Sequence, residues 1–220
     1  MMQLSSLKNI SPIEPDIEKR NEELQQLLKL SDIRKQRESN PQGSWELVKG
    51  SHFLFSAPHE VKHIRDGEPK IAEKGTAALA VALANYVGGS AICTTGVQRG
   101  DPNWDLDTAY LGKAHELAQN GTIIDLHMMR PRGVEVCIGL GPIPNLSNGL
   151  WNIIIEEAVL AGLRVSINWP FSANVRTVTA QSQRKGFRAI QIELSWHCFN
   201  ASHPAMEKAW SALARAAVRM

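Results

Sequence analysis

From Ser44 onward, the spacing of hydrophobic and polar residues alternates between strand-like and helix-like runs. Short apolar runs rich in β-branched, aromatic and cysteine side chains read as buried strands, because such side chains fit a pleated surface. His52-Phe53-Leu54-Phe55-Ser56-Ala57-Pro58, Ser90 to Thr95, Thr122 to Leu126, Val134 to Leu140, Leu163 to Asn168 and Ala189 to Leu194 fit that description. Longer runs carrying Ala and Leu lie between them and read as helices. These are Lys70 to Tyr86, stopped by Gly88-Gly89, then Leu106 to Ala118, Ser147 to Ala161, and Pro204 to Val218 with Ser202 or His203 near its cap. Strands and helices in alternation predict an α/β fold, a mixed and mostly parallel sheet flanked by helices. No internal repeat interrupts the pattern.

The first 45 residues differ, with dense charge and little β-branched content. From Asp16 to Arg37, Ile17, Leu24, Leu27, Leu28 and Ile33 recur near helical spacing, and Asp16 can serve as the N-cap. Ser39-Asn40-Pro41-Gln42-Gly43 ends that pattern. The expected organisation is therefore a helical extension over residues 1–45 and one α/β domain over residues 46–220. The extension is expected to pack on the outside of the domain, the alternative being a contact with a partner or with a second subunit of a homo-oligomer.

Composition narrows the class. A chain of 220 residues with 43% hydrophobic content can bury one substantial core. Its 24 basic and 22 acidic residues leave a net charge of +2 and no basic footprint for nucleic acid. No apolar run approaches the length of a membrane span, and no signal-like segment follows the start, so a cytoplasmic protein is expected. Cys93, Cys137 and Cys198 are odd in number and lack C-x-x-C spacing, which argues against a disulfide framework and against a cysteine-based metal site.

Candidate chemistry gathers at strand ends. His59 and His127 each stand where a strand-like run stops, and open α/β sheets place their sites there. Two histidines and one carboxylate are the donor set of a catalytic zinc, whose open fourth position takes water and lowers its pKa to about 7. Spacing alone leaves Glu73, Glu60 and Glu68 as candidates for the carboxylate. Asp125 lies two residues before His127, hence on the same sheet face, where it could orient that imidazole. Glu193 is unusual as a carboxylate within a strand whose neighbours Ile190, Ile192 and Leu194 are apolar. His59-Glu60-Val61-Lys62-His63 also matches the HExxH signature, which brings both imidazoles to one metal only on a helix. A β-rich run leads into it and Asp66-Gly67-Glu68-Pro69 closes it, so His59 alone is expected to ligate.

Several stretches together resemble the N-formylglutamate amidohydrolase family, a branch of the zinc carboxypeptidase superfamily with its phosphorylase/hydrolase-like fold. They are Ser56-Ala57-Pro58-His59, Arg65-Asp66-Gly67 with Lys70-Ile71-Ala72-Glu73-Lys74-Gly75-Thr76, Asp101-Pro102-Asn103-Trp104-Asp105, Ile124-Asp125-Leu126-His127, and Ala189-Ile190-Gln191-Ile192-Glu193-Leu194. The resemblance implies a metal held by His59, Glu73 and His127, with Glu73 at the start of a helix, and Glu193 as general base. It further implies one zinc per chain, replaceable by other divalent ions, and a small amide substrate bearing a carboxylate. Arg65, Arg130 and Arg176 are the candidates to hold that carboxylate, with Asn103 as a further polar contact. Met128 stands where such proteins commonly carry glycine, and the chain is shorter than expected of true N-formylglutamate deformylases, so the pocket floor and the substrate are expected to differ. The activity expected is zinc-dependent hydrolysis of a small N-formyl or N-acyl amino acid or a short peptide amide. The alternatives are a non-catalytic metal-binding member of the fold and an HExxH-type metallopeptidase.

Overall fold

A computed structural model of the chain describes residues 37–119 and 121–220. Its strands are β1 (Ser44–Val48), β2 (Ser51–Ala57), β3 (His63–Arg65), β4 (Glu68–Lys70), β5 (Gly89–Thr95), β6 (Thr122–Met129), β7 (Val136–Gly139), β8 (Val165–Ile167) and β9 (Arg188–Ser195). Its helices include α1 (Thr76–Val87), α2 (Ala109–Ala118), α3 (Leu150–Leu160), α4 (Val178–Arg184) and α5 (Pro204–Arg219). Seven strands form one sheet in the order β1-β5-β2-β6-β9-β7-β8. β5, β2, β6 and β9 run parallel; β1 joins the edge antiparallel, and β7 pairs antiparallel with β9 and parallel with β8. The expected single α/β domain with a mixed, mostly parallel sheet is the one observed.

Successive side chains of a strand point to opposite faces, and the two faces here have different fates. Phe55, Ile124, Leu126, Ile190, Ile192 and Leu194 pack against α1, α3 and α5 in the larger core. Their alternates Leu54, Ile92, Ile123 and Ala189 meet α2 and the first residue of α4. Further along that second face, toward the carboxyl ends of the strands, the buried residues become polar: Ser56, Asp125, His127, Gln191 and Glu193.

Several element boundaries differ from expectation for local reasons. The run from Lys70 is not helical at its start, because Glu68–Lys70 pairs with His63–Arg65 in a hairpin. Asp66 and Gly67 turn that hairpin at φ 51° and 81°. Two successive left-handed residues are what a two-residue hairpin turn needs, and Asp-Gly supplies them. α1 therefore begins at Thr76, and Glu73 lies in the segment leading into it, three residues ahead of the helix. Likewise α2 starts at Ala109, where the Thr108 side chain accepts the Leu111 N–H, and α3 starts at Leu150 after Gly149 breaks the chain direction at φ 86°. β1, the hairpin and α4 were not foreseen. The helix expected from Asp16 lies outside the described residues except for Arg37, whose guanidinium meets Glu46 at 3.1 Å and Glu60 at 3.6 Å. All three cysteines are buried and free, and no helix among the described residues is long and apolar enough to cross a membrane.

Candidate metal centre

His59 follows the end of β2 and His127 lies within β6, next but one to Asp125, so adjacent parallel strands deliver both rings to one region. Glu73 arrives from the loop before α1, where its backbone N–H donates to the His59 carbonyl at 2.8 Å. Its carboxylate then faces both rings, with Oε1 2.9 Å from His59 Nδ1 and Oε2 2.9 Å from His127 Nδ1. The Met128 N–H donates to the same Oε2 at 3.0 Å. Spacing had left Glu60 and Glu68 in contention, but it is Glu73 that comes together with the two histidines.

The far nitrogen of each ring faces a second carboxylate. His59 Nε2 lies 2.7 Å from Asp101 Oδ1, and His127 Nε2 lies 3.1 Å from Asp125 Oδ2. Both aspartates are fully buried. Asp125 is held by the Ser56 hydroxyl from the neighbouring strand at 2.8 Å. Asp101 accepts the N–H groups of Asn103 and Trp104, and the Arg65 guanidinium donates to its other oxygen. A carboxylate thus faces both nitrogens of each ring; with a cation on the Glu73 side, Asp101 and Asp125 would hold the ring protons on Nε2 and leave the Nδ1 lone pairs to ligate.

Such a convergence of electron pairs needs positive charge at its centre. Burial disfavours protonation of His127, yet Asp125 and Glu73 raise its pKa well above the ordinary range; His59 is also raised, by Glu73 and Asp101 against the same burial penalty. Glu73, though desolvated, is held well below the usual carboxylate range by the two imidazoles. A divalent cation satisfies the same electrostatics without those protons. The three donor atoms lie within 4.8 Å of one another, and two imidazoles with one carboxylate match zinc's ligand preferences, so the residues fit that ion.

His59, His63 and Asp101 bring donor atoms within the same range of one another. The His59 and His63 rings stack with centroids 4.0 Å apart, and burial together with His59 pushes the His63 pKa down to about 4. The Arg65 guanidinium already occupies the Asp101 oxygen nearest His63, so a second cation there would meet fixed positive charge. The HExxH geometry is absent: residues 59–62 form turns leading into β3, not a helix. Glu60 points elsewhere, its Oε2 accepting the N–H groups of Gly75 and Ala77 at 3.0 and 2.9 Å and the Thr76 hydroxyl at 3.3 Å.

Glu193 on β9 is the register partner of His127 on β6, so the two side chains share a face. The Gln191 amide donates to its Oε1 at 2.8 Å, while the buried Gln191 Oε1 has no partner. Burial lifts the Glu193 pKa to about 7. A carboxyl of that kind can exchange a proton near neutral pH.

No protein-family model matches the sequence, and no curated protein matches it. Solved structures do match in shape. The N-formylglutamate amidohydrolase of Ralstonia eutropha JMP134 superposes with a TM-score of 0.59 at 14% identity, over 79% of this chain and 96% of that one. This chain has the N-formylglutamate amidohydrolase fold. A bacteriophage poly-gamma-glutamate hydrolase matches at TM-score 0.53 and 16% identity, over 78% of this chain and 85% of that one. An Agrobacterium tumefaciens gene product matches at TM-score 0.52 and 15% identity, over 80% and 94%.

Within this N-formylglutamate amidohydrolase fold, a cavity of about 290 Å³ adjoins the three candidate ligands and is also lined by Gln191 and Glu193. The segment Pro170 to Asn174 and Trp104 also wall it. Arg65 lines the cavity and stacks on Trp104 at 5.0 Å, and Arg176 stacks on the same ring at 5.7 Å. Asn103 lines it too, but its side-chain Oδ1 accepts the Val178 N–H at 2.7 Å and so fastens the start of α4. Arg130 is placed apart from this cavity, in a neighbouring basin. Sequence reasoning had overlooked Asp101. Its signal was available in principle: two ligating imidazoles call for two orienting carboxylates, and Asp101-Pro102-Asn103 carries the short acceptor of a tight turn.

Proposed function

We propose that this protein is a zinc-dependent amidohydrolase acting on a small N-formyl or N-acyl amino acid or a short peptide amide. The observation that carries this reading is the convergence of His59 Nδ1, His127 Nδ1 and the Glu73 carboxylate beside a carboxyl, Glu193, whose pKa of about 7 suits proton transfer. His59, Glu73 and His127 would hold the zinc, which when bound supplies Lewis acidity toward a carbonyl and brings the pKa of water near neutrality.

The chain's own groups then do the following. Glu193 takes a proton from the attacking water as its oxygen bonds the amide carbon. Once the C–N bond breaks, Glu193 gives that proton to the leaving nitrogen, so the products are a carboxylic acid and an amine. The leaving amine therefore lies on the Glu193 side, in the cavity also lined by Arg65 and Trp104. Arg65 and Arg176, stacked on Trp104, hold the carboxylate of that amino acid, and Gln191 keeps Glu193 in place. Asp101 and Asp125 orient the two imidazoles. Two of the proteins that share the fold are named as hydrolases of glutamate-based substrates, which agrees with this reading.

The test combines elemental analysis with an assay of N-formyl-L-glutamate and short N-acyl amino acids. Wild type is expected to carry one zinc and to lose hydrolysis to chelator, His127→Ala to lose the metal, and Glu193→Gln to keep it while kcat falls by about 10²- to 10⁴-fold. Full activity in both variants would sink the proposal.

A further inference from the structure

A second basin, of about 520 Å³, lies beyond the metal centre and shares Arg65, Glu73 and Met128 with the first cavity. It is walled by the β3–β4 hairpin, by the end of β6 and by Trp196 just after β9. Lys70 and Arg130 line it, both exposed, and neither pairs with a carboxylate among the described residues. Among the described residues Glu73 is the one acidic group lining it, and that carboxylate is engaged by His59 and His127. Ile71 and Trp196, 68% and 49% exposed, add apolar surface beside the cations.

With the leaving amine on the Glu193 side, the acyl half of the substrate points into this basin. A formyl group has two heavy atoms, comparable to a water or two at roughly 30 Å³ each, and would leave the basin nearly unused. Volumes of about 300–1,000 Å³ accommodate whole small ligands. Cations left unpaired around a concave surface recruit anions, and guanidinium favours carboxylates in particular.

We infer that the basin lined by Lys70 and Arg130 is an acyl-side subsite, and that the substrate carries an acyl chain longer than formyl bearing its own carboxylate. The inference rests on the amidohydrolase reading for its orientation. Arg130 thereby recognises the acyl chain, leaving the amino-acid carboxylate to Arg65 and Arg176.

A matched pair of probes tests it: N-succinyl-L-glutamate and N-butyryl-L-glutamate, which have four-carbon acyl groups differing in one carboxylate. They are compared by kcat/KM if hydrolysed and by calorimetric Kd if only bound. The succinyl compound is expected to be favoured at least about tenfold by the wild-type protein. In a Lys70→Glu/Arg130→Glu variant, with circular dichroism and Tm unchanged, the ratio of the succinyl to the butyryl value is expected to collapse toward unity. Equal treatment of the two probes by wild type, failure to bind either, or a preference untouched by the double substitution would overturn the subsite. Binding that keeps the succinyl preference without any hydrolysis would instead overturn the amidohydrolase reading and leave the subsite standing.

Discussion

Replacing Glu60 by alanine separates the capping role of this residue from the catalytic role that the HExxH signature would give it. Glu60 is 4% exposed, and its Oε2 accepts two backbone N–H groups at the start of α1, from Gly75 and Ala77, besides the Thr76 hydroxyl. A helix start leaves its first N–H groups without partners in the helix, and Gly75 has no side chain to cap them. A buried donor left unpaired costs about 1–3 kcal/mol, which applies to the Ala77 N–H, and the part-buried Gly75 N–H adds less. Glu60→Gln, which keeps an amide oxygen for the same donors, is expected to cost about 1 kcal/mol. Urea unfolding followed by circular dichroism measures both, and elemental analysis of the folded protein is expected to find the same zinc content as in wild type. A Glu60→Ala protein of native stability that has lost hydrolytic activity would refute the capping assignment and return Glu60 to the role of a general base.

Asp101→Asn is expected to weaken zinc affinity about 10- to 100-fold in chelator competition, because it removes the charge that orients the His59 ring. His115 stacks on Phe187 and contacts the Ser182 hydroxyl, and burial, with Lys185, pushes its pKa down to about 4. The unfolded chain therefore binds the extra proton between about pH 6.5 and 4, so stability falls as pH drops through that window. His115→Gln is expected to flatten that part of a urea-midpoint profile. Gly139→Ala places a methyl 2.8 Å from the Ala173 Cβ and 2.9 Å from its backbone nitrogen. Ala173 already sits at φ 54°, so a Tm loss corresponding to about 1–3 kcal/mol is expected, together with a raised KM from displacement of the cavity wall.

The central strands were legible because their apolar runs are long and continuous: β6 and β9 must be buried on both faces, and Thr122 to Leu126 and Ala189 to Leu194 read that way. His127 was legible as the polar residue where such a run stops, although β6 continues to Met129, and Glu193 as a carboxylate inside one. β1 and the β3–β4 hairpin escaped because they are short and half-exposed, so little hydrophobic periodicity marks them. Asp66-Gly67 was read as a breaker when it is the hairpin turn itself. Asp101 escaped because it acts through a contact with His59, 42 positions away in sequence, which no local spacing encodes. Arg65 and Arg130 read alike in sequence; the hairpin brings Arg65 onto Asp101, while Arg130, just past the end of β6, lines the second basin without a carboxylate partner among the described residues.

The alternation along β6 and β9 divides labour between neighbouring residues. Ile124, Leu126, Ile190 and Ile192 hold the main core, while Asp125, His127, Gln191 and Glu193 face the cavity side. Substitutions at the second set can change reactivity and selectivity while the hydrophobic packing stays intact, so the scaffold tolerates chemical diversification on one face. The same arrangement makes pairing register unforgiving. A slip of one residue on either strand would drive carboxylates into the apolar layer and turn isoleucines toward the cavity, so misfolded and inactive protein would arise together.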